Sequence, residues 1–345
     1  MLLVQVILGG VTRLTGSGLS ITEWNVVTGT FPPMSETKWL NEFDKYKTTP
    51  QYQILNTRFT IEDFKFIFFW EWAHRFWARL IGIVFIVGFV YLVSKKYLRK
   101  EMQMPLVILF FLGAMQGAVG WIMVASGLTG DAVYVKPTRL ALHFIFAMVL
   151  IVYAFWFALK LSIQSKQLIP NKSIYRFSWI LIGLTLVQLV FGALMAGHKA
   201  ATAAPTWPDI NGYFLPPAMF EHGFLFSLIE NKLTVHFFHR NLAYILTLLT
   251  LIYSWKMFAL KVPGSVYRGA RIFPALLLIL QVFLGIFTVL SSRLIVPNSW
   301  GLFEWMAQLH QITGMLFLLS LILILYLTEN KFFPVQTPNQ VPSLS

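Results

Sequence analysis

The chain has 345 residues, 57% hydrophobic and 12% charged, with a formal net charge of +13 and a mean hydropathy of +0.67. Soluble domains carry about 25% charged residues, so the composition excludes a water-soluble globular fold and points to bilayer insertion. The absence of cysteine excludes disulfides, thiolate metal sites, Fe–S clusters and covalent c-type haem attachment.

A membrane span needs about 20 apolar residues. The sequence predicts an all-α, polytopic membrane protein with spans near 1–13, 67–94, 104–127, 138–160, 176–197, 233–256, 272–292 and 305–327, with boundaries good to about three residues. The chain opens directly on an apolar run, without a cleavable signal or transit peptide. That first run is short, covering about 20 Å of a core about 30 Å thick. Its later counterpart begins earlier, so about eight to ten further residues are expected upstream of Met1. Segment 14–66 follows, mixing Glu36, Glu42, Asp44, Glu62 and Asp63 with bases, and reads as a folded cap.

The basic residues cluster in alternate loops: Lys95, Lys96, Arg99 and Lys100; Lys160, Lys166, Lys172 and Arg176; Lys256, Lys261, Arg268 and Arg271. By the positive-inside rule these loops are cytoplasmic. Both termini are then cytoplasmic too, and segments 14–66 and 198–232 face outward. The charge therefore reads as an orientation signal in contact with lipid, and nucleic acid is not an expected partner.

The sequence repeats itself. Leu3-Val4-Gln5 and Gly9 reappear as Leu186-Val187-Gln188 and Gly192, and the same shift carries Trp24 to Trp207 and Pro33 to Pro216. His74-Arg75 falls on His239-Arg240, Gln116 on Gln281, and Leu142-His143 on Leu309-His310. Two four-helix units result, 1–160 with outer loop 14–66 and 161–345, parallel about an axis along the membrane normal. A Gln-x-x-x-Gly motif recurs in spans one, three, five and seven and reads as close helix packing.

His74, His143, His239 and His310 lie in spans two, four, six and eight, all expected at one depth, about 8–9 Å below the outer surface. Intramembrane ionisable groups mark function by default. A proton relay needs staggered depths, and a zinc or copper site needs three or four converging ligands. Two symmetric pairs on facing helices suit two planar metallocycles, and bis-His ligation of haem iron is the simplest reading.

Glu71 shares a helix face with His74, whereas the second unit has His236 beside His239. Glu71 is either a carboxylate serving one haem alone or a helix N-terminal acid. Arg75, Arg139 and Arg240 either contact haem propionates or snorkel to headgroups. His198 and His222 read as ordinary loop residues.

Together these residues resemble the haem A synthase family over nearly the whole chain. The carriers are Gly9-Gly10-Val11-Thr12-Arg13-Leu14-Thr15 with Ser17-Gly18-Leu19-Ser20 and Trp24, Glu71-x-x-His74-Arg75, Leu142-His143, Phe238-His239-Arg240 and Leu309-His310. The resemblance implies oxidation of the C8 methyl of haem O to a formyl group with water-derived oxygen. It implies that His74 and His143 hold the substrate haem, that His239 and His310 hold a permanent haem b, and that Glu71 is catalytic. It also implies a bacterial inner-membrane location and supply of haem O by the farnesyltransferase that makes it, with a homo-oligomer as a further expectation. The chain lacks the outer-loop cysteine pairs of one branch and so resembles the cysteine-free branch that includes the mitochondrial proteins. His236 stands where the family usually has glutamine, as an alternative ligand, a donor to a ligand or a neutral replacement. Two rival functions need the same histidines: a two-haem electron carrier, and a haem transporter or chaperone.

Overall fold

In hydrocarbon every peptide N–H must find its acceptor within its own segment, so long apolar runs become helices. The computed structural model describes residues 1–24, 28–221, 223–262, 266–297 and 299–329; His222 lies outside the described residues. The main helices are α1 (Leu2–Leu14), α2 (Ile61–Ser94), α3 (Lys100–Ala125), α4 (Pro137–Ser162), α5 (Lys172–Gly197), α6 (Lys232–Ala259), α7 (Phe273–Ser291) and α8 (Leu302–Leu327). Among the described residues seven helices are long and apolar enough to cross a membrane; α1 is apolar but shorter. The protein is a multi-pass, all-helical membrane protein.

The predicted boundaries hold within four residues except at α2, which starts at Ile61, six residues before expectation. Its 34 residues span about 51 Å, well beyond a hydrocarbon core of about 30 Å. Thr60 and Asp63 close a reciprocal capping box at its start, satisfying N–H groups that would otherwise be unpaired. The added turns place Phe64, Ile67 and Phe68 against Phe43 and Tyr46 of the outer helix Glu36–Lys47. Phe43 stacks on Phe64 at 5.0 Å, and Trp39 meets Phe68 edge-on at 5.0 Å. Each such ring contributes about 1.5–3 kcal/mol when fully buried. Within segment 14–66 the described residues include helices that pack on α2, and its last six residues belong to α2.

Helices adjacent in sequence pack in pairs: α1 on α2, α3 on α4, α5 on α6, α7 on α8. Helices α5 to α8 also close a ring, because α6 packs on α7 and α8 on α5. Among α1 to α4 the contact between α2 and α3 is slight. The two sets meet where α4 touches α5 and α8 and where α1 touches α8. The main apolar core lies there, around Met148, Leu181, Met315, Leu318 and Leu321.

Candidate functional site

A cavity of about 1670 Å³ opens among the helices, lined by His74, His143, His239, His310 and Glu71. Pockets for one small ligand occupy about 300–1,000 Å³, so this space exceeds a single such site. The rings of His239 on α6 and His310 on α8 face each other with centroids 6.3 Å apart and planes 79° apart. Two imidazoles that each donate to one metal at about 2 Å hold their ring centres about 6 Å apart. The spacing of the pair therefore suits two imidazoles that would hold one metal between them. His74 on α2 and His143 on α4 both line the cavity. Among the described residues no three His, Asp or Glu side chains are grouped so that they could hold a metal ion.

Each histidine is gripped by the neighbouring odd-numbered helix. Gln5, Gln116 and Gln188 donate from Nε2 to the backbone carbonyls of His74, His143 and His239 at 3.2, 3.1 and 3.0 Å. His310 instead donates from Nδ1 to the carbonyl of Gln281 at 3.0 Å. One turn along, a Cβ built on Gly9, Gly120, Gly192 or Gly285 would come within 3.2, 2.9, 3.3 or 2.8 Å of the same four rings. The Gln-x-x-x-Gly motifs do pack helices closely, as expected, and the side chain they pack against is the histidine. The signal available in the sequence was numerical: one motif on every odd helix, and one ligand-candidate histidine on every even one, α6 carrying His236 besides.

Glu71 is 2% exposed. Its Oε2 accepts from Ser20 N at 2.7 Å, Ser20 Oγ at 2.7 Å and Ile21 N at 2.9 Å, and its Oε1 pairs with Arg75 at 2.5 Å. Arg75 also donates to the carbonyls of Ile21 and Glu23. At the corresponding turn of α6, Arg240 donates from Nε to His236 Nε2 at 2.9 Å and to the carbonyls of Ala204, Thr206 and Asp209. His236 is fully buried with Nδ1 unpartnered; with Nε2 engaged by Arg240, it acts as that arginine's partner. In both places the arginine after the histidine ties the preceding inter-helix segment to the helix that carries it. Arg139 donates to the Ile122 carbonyl at the end of α3. His198 bonds the Ile229 carbonyl, closing the second outer segment.

Over residues 1–323 the sequence matches the model of the cytochrome oxidase assembly protein family. The chain belongs to that family. Among its relatives, a heme A synthase of Bradyrhizobium sp. (strain ORS 278) is 42% identical over 321 residues, covering 91% of this chain and 84% of the relative. A heme A synthase of Cereibacter sphaeroides is 40% identical over 307 residues, 85% of this chain and 78% of the relative. One from Bartonella henselae is 39% identical over 302 residues, 87% and 83% respectively. No solved structure matches the chain. Two arginines that line the cavity, Arg13 of α1 and Arg79 of α2, were given no role from the sequence. Their signal is a charge inside an apolar run.

Proposed function

We propose that the chain is a haem A synthase, an enzyme that oxidises the C8 methyl of haem O to a formyl group with water-derived oxygen. It is built as two four-helix units, 1–160 and 161–345. Family membership and relatives of that name support the activity. The observation that carries the site assignment is the opposed pair His239 and His310 at 6.3 Å. These two would hold haem b, and His74 and His143 the substrate haem. Bound there, haem b supplies a one-electron redox centre.

Glu71 acts as a fixed anion beside the first pair. Both its oxygens are taken by donors, so it is held in place to stabilise positive charge developing on the substrate, and is poorly placed to collect a proton. A two-haem electron carrier would need the histidines but no such carboxylate, and α6 has His236 at that turn. Arg75, Arg139 and Arg240 brace the ligand-bearing helices through carbonyls. The protein lies in the bacterial inner membrane with both termini cytoplasmic, the farnesyltransferase that makes haem O being the source of its substrate. The test is expression in cells that make haem O but no haem A, followed by chromatography of extracted haems. Haem A is expected only where the chain is present; its absence, with the protein inserted and loaded with haem, would leave the electron carrier as the reading.

A further inference from the structure

The glutamine of each Gln-x-x-x-Gly motif has a second unusual property. The side-chain carbonyls of Gln5, Gln116, Gln188 and Gln281 are all buried and have no hydrogen-bond partner. A buried acceptor left unpaired costs about 1–3 kcal/mol, and four equivalent ones on four helices are unlike random packing defects. Two of them share a further contact. The amide of Gln116 lies 3.2 Å from Nδ1 of His143, and that of Gln188 lies 3.1 Å from Nδ1 of His239. His310 has its Nδ1 on a carbonyl already, that of Gln281. Metal-ligating histidines generally give their second ring nitrogen to such an acceptor, which fixes the tautomer and strengthens the ligand as a donor.

We propose that these glutamine–glycine pairs are positioning residues for the four histidines, a proposal that rests on reading the histidines as iron ligands. The glycine leaves space for the imidazole ring. The amides of Gln116 and Gln188 lie over the backbone carbonyl and Nδ1 of their histidines, that of Gln5 reaches the His74 carbonyl, and that of Gln281 lies 3.4 Å from Nε2 of His310, and these contacts set the rotation of the rings. When Nε2 is committed to iron, Nδ1 carries the proton, and turning over the amide of Gln116 or Gln188 exchanges its Nε2 bond to the histidine carbonyl for a bond from that N–H to its unpaired Oε1. At His310 the backbone carbonyl of Gln281 does the same work without rotation. The ring planes of His239 and His310, 79° apart, are the outcome of this grip. Crossed axial imidazoles give low-spin ferric haem a strongly anisotropic electron paramagnetic resonance signal, and parallel ones a more rhombic signal.

The test uses the purified full chain with its bound haem, carrying Gln188→Leu, Gln188→Glu or Gly192→Ala. Haem content, the low-spin resonance and the midpoint potential of the tightly held haem are measured. Gln188→Leu is expected to keep the haem, shift the signal toward rhombic and raise the potential, since the imidazole donates less without an acceptor at Nδ1. Gln188→Glu is expected to lower the potential, because a carboxylate accepts more strongly. Gly192→Ala is expected to weaken haem retention about 10- to 100-fold. An unchanged signal and potential in both glutamine variants would overturn the proposal while leaving the histidines as ligands. Retention of that haem by His239→Ala would instead overturn the ligand assignment. If Gln188→Leu yields protein without haem, Gln188→Glu decides alone. If both lack haem yet elute like wild type, ligand positioning is supported; if neither elutes like wild type, the amide is a general packing element and the proposal fails.

Discussion

Helices α1 to α4 and helices α5 to α8 present matching histidine pairs in differently packed surroundings. Over its most apolar stretch α8 is 61% buried, whereas α2 and α3 bury none of theirs. Around His239 and His310 each helix packs on the next and the ring closes. Around His74 and His143 the seam between α2 and α3 is slight, and Gly82, Gly88, Gly113 and Gly117 have open space where a side chain would project. Dense packing resists deformation and retains what it encloses, whereas a loosely packed seam opens at low cost. On the proposed assignment, the retained haem would sit on the densely packed pair and the exchanged substrate on the loosely packed one.

The largest expected effect breaks the comparison at its centre. His239→Ala or His310→Ala should abolish tightly bound haem b, while His74→Ala should keep it and lose only turnover; absorption spectra and haem assay of purified protein check this. Equal haem loss from both pairs would mean that neither is privileged. Next, Glu71→Gln should leave both haem sites and the fold intact yet slow oxidation by about 10²- to 10³-fold, so that haem O accumulates in extracted haems. A glycine pair sharpens the packing contrast. Gly285→Val, at a site where even a Cβ would stand 2.8 Å from His310, should reduce haem b retention about 10- to 100-fold. Gly117→Val, with open space around it, should leave haem b untouched. The smallest effect belongs to Ser20→Ala, which removes the hydroxyl among the donors to Glu71 and leaves the backbone donors. Turnover at matched protein level should fall by about tenfold, the equivalent of one charged hydrogen bond of about 1.5 kcal/mol.

Much of the architecture was legible because the bilayer imposes it. Apolar length gave the helices, and the spacing of His74, His143, His239 and His310 singled out the ligand candidates. The start of α2 was missed because hydropathy stops at Glu62, Asp63 and Lys65, while the helix continues outward on Phe64 packed against Phe43 and Tyr46. That contact joins segments whose pairing has no local pattern. The partners of Arg75, Arg139 and Arg240 escaped notice for another reason. They are main-chain carbonyls of Ile21, Ile122 and Thr206, among others, and a carbonyl has no sequence identity. The Gln-x-x-x-Gly motifs were recognised, but only the three-dimensional arrangement showed that the surface they contact is the histidine ring.

Helix α1 also carries a consequence for biogenesis. Gln308 of α8 donates to the Ile7 carbonyl across 301 residues of chain, and Gln311 donates to the Val6 carbonyl across 305. Gly10 makes room for this, since a Cβ there would fall 2.1 Å from the Gln308 carbonyl oxygen. A ribosome adding about 5–20 residues per second therefore leaves α1 without these partners for tens of seconds after it enters the bilayer. Gln5, which holds the His74 turn, rides on that same helix. The first histidine to be translated thus waits for a helix made some 300 residues later before its surroundings are complete, and a chain arrested short of α8 would insert without finishing the proposed substrate site.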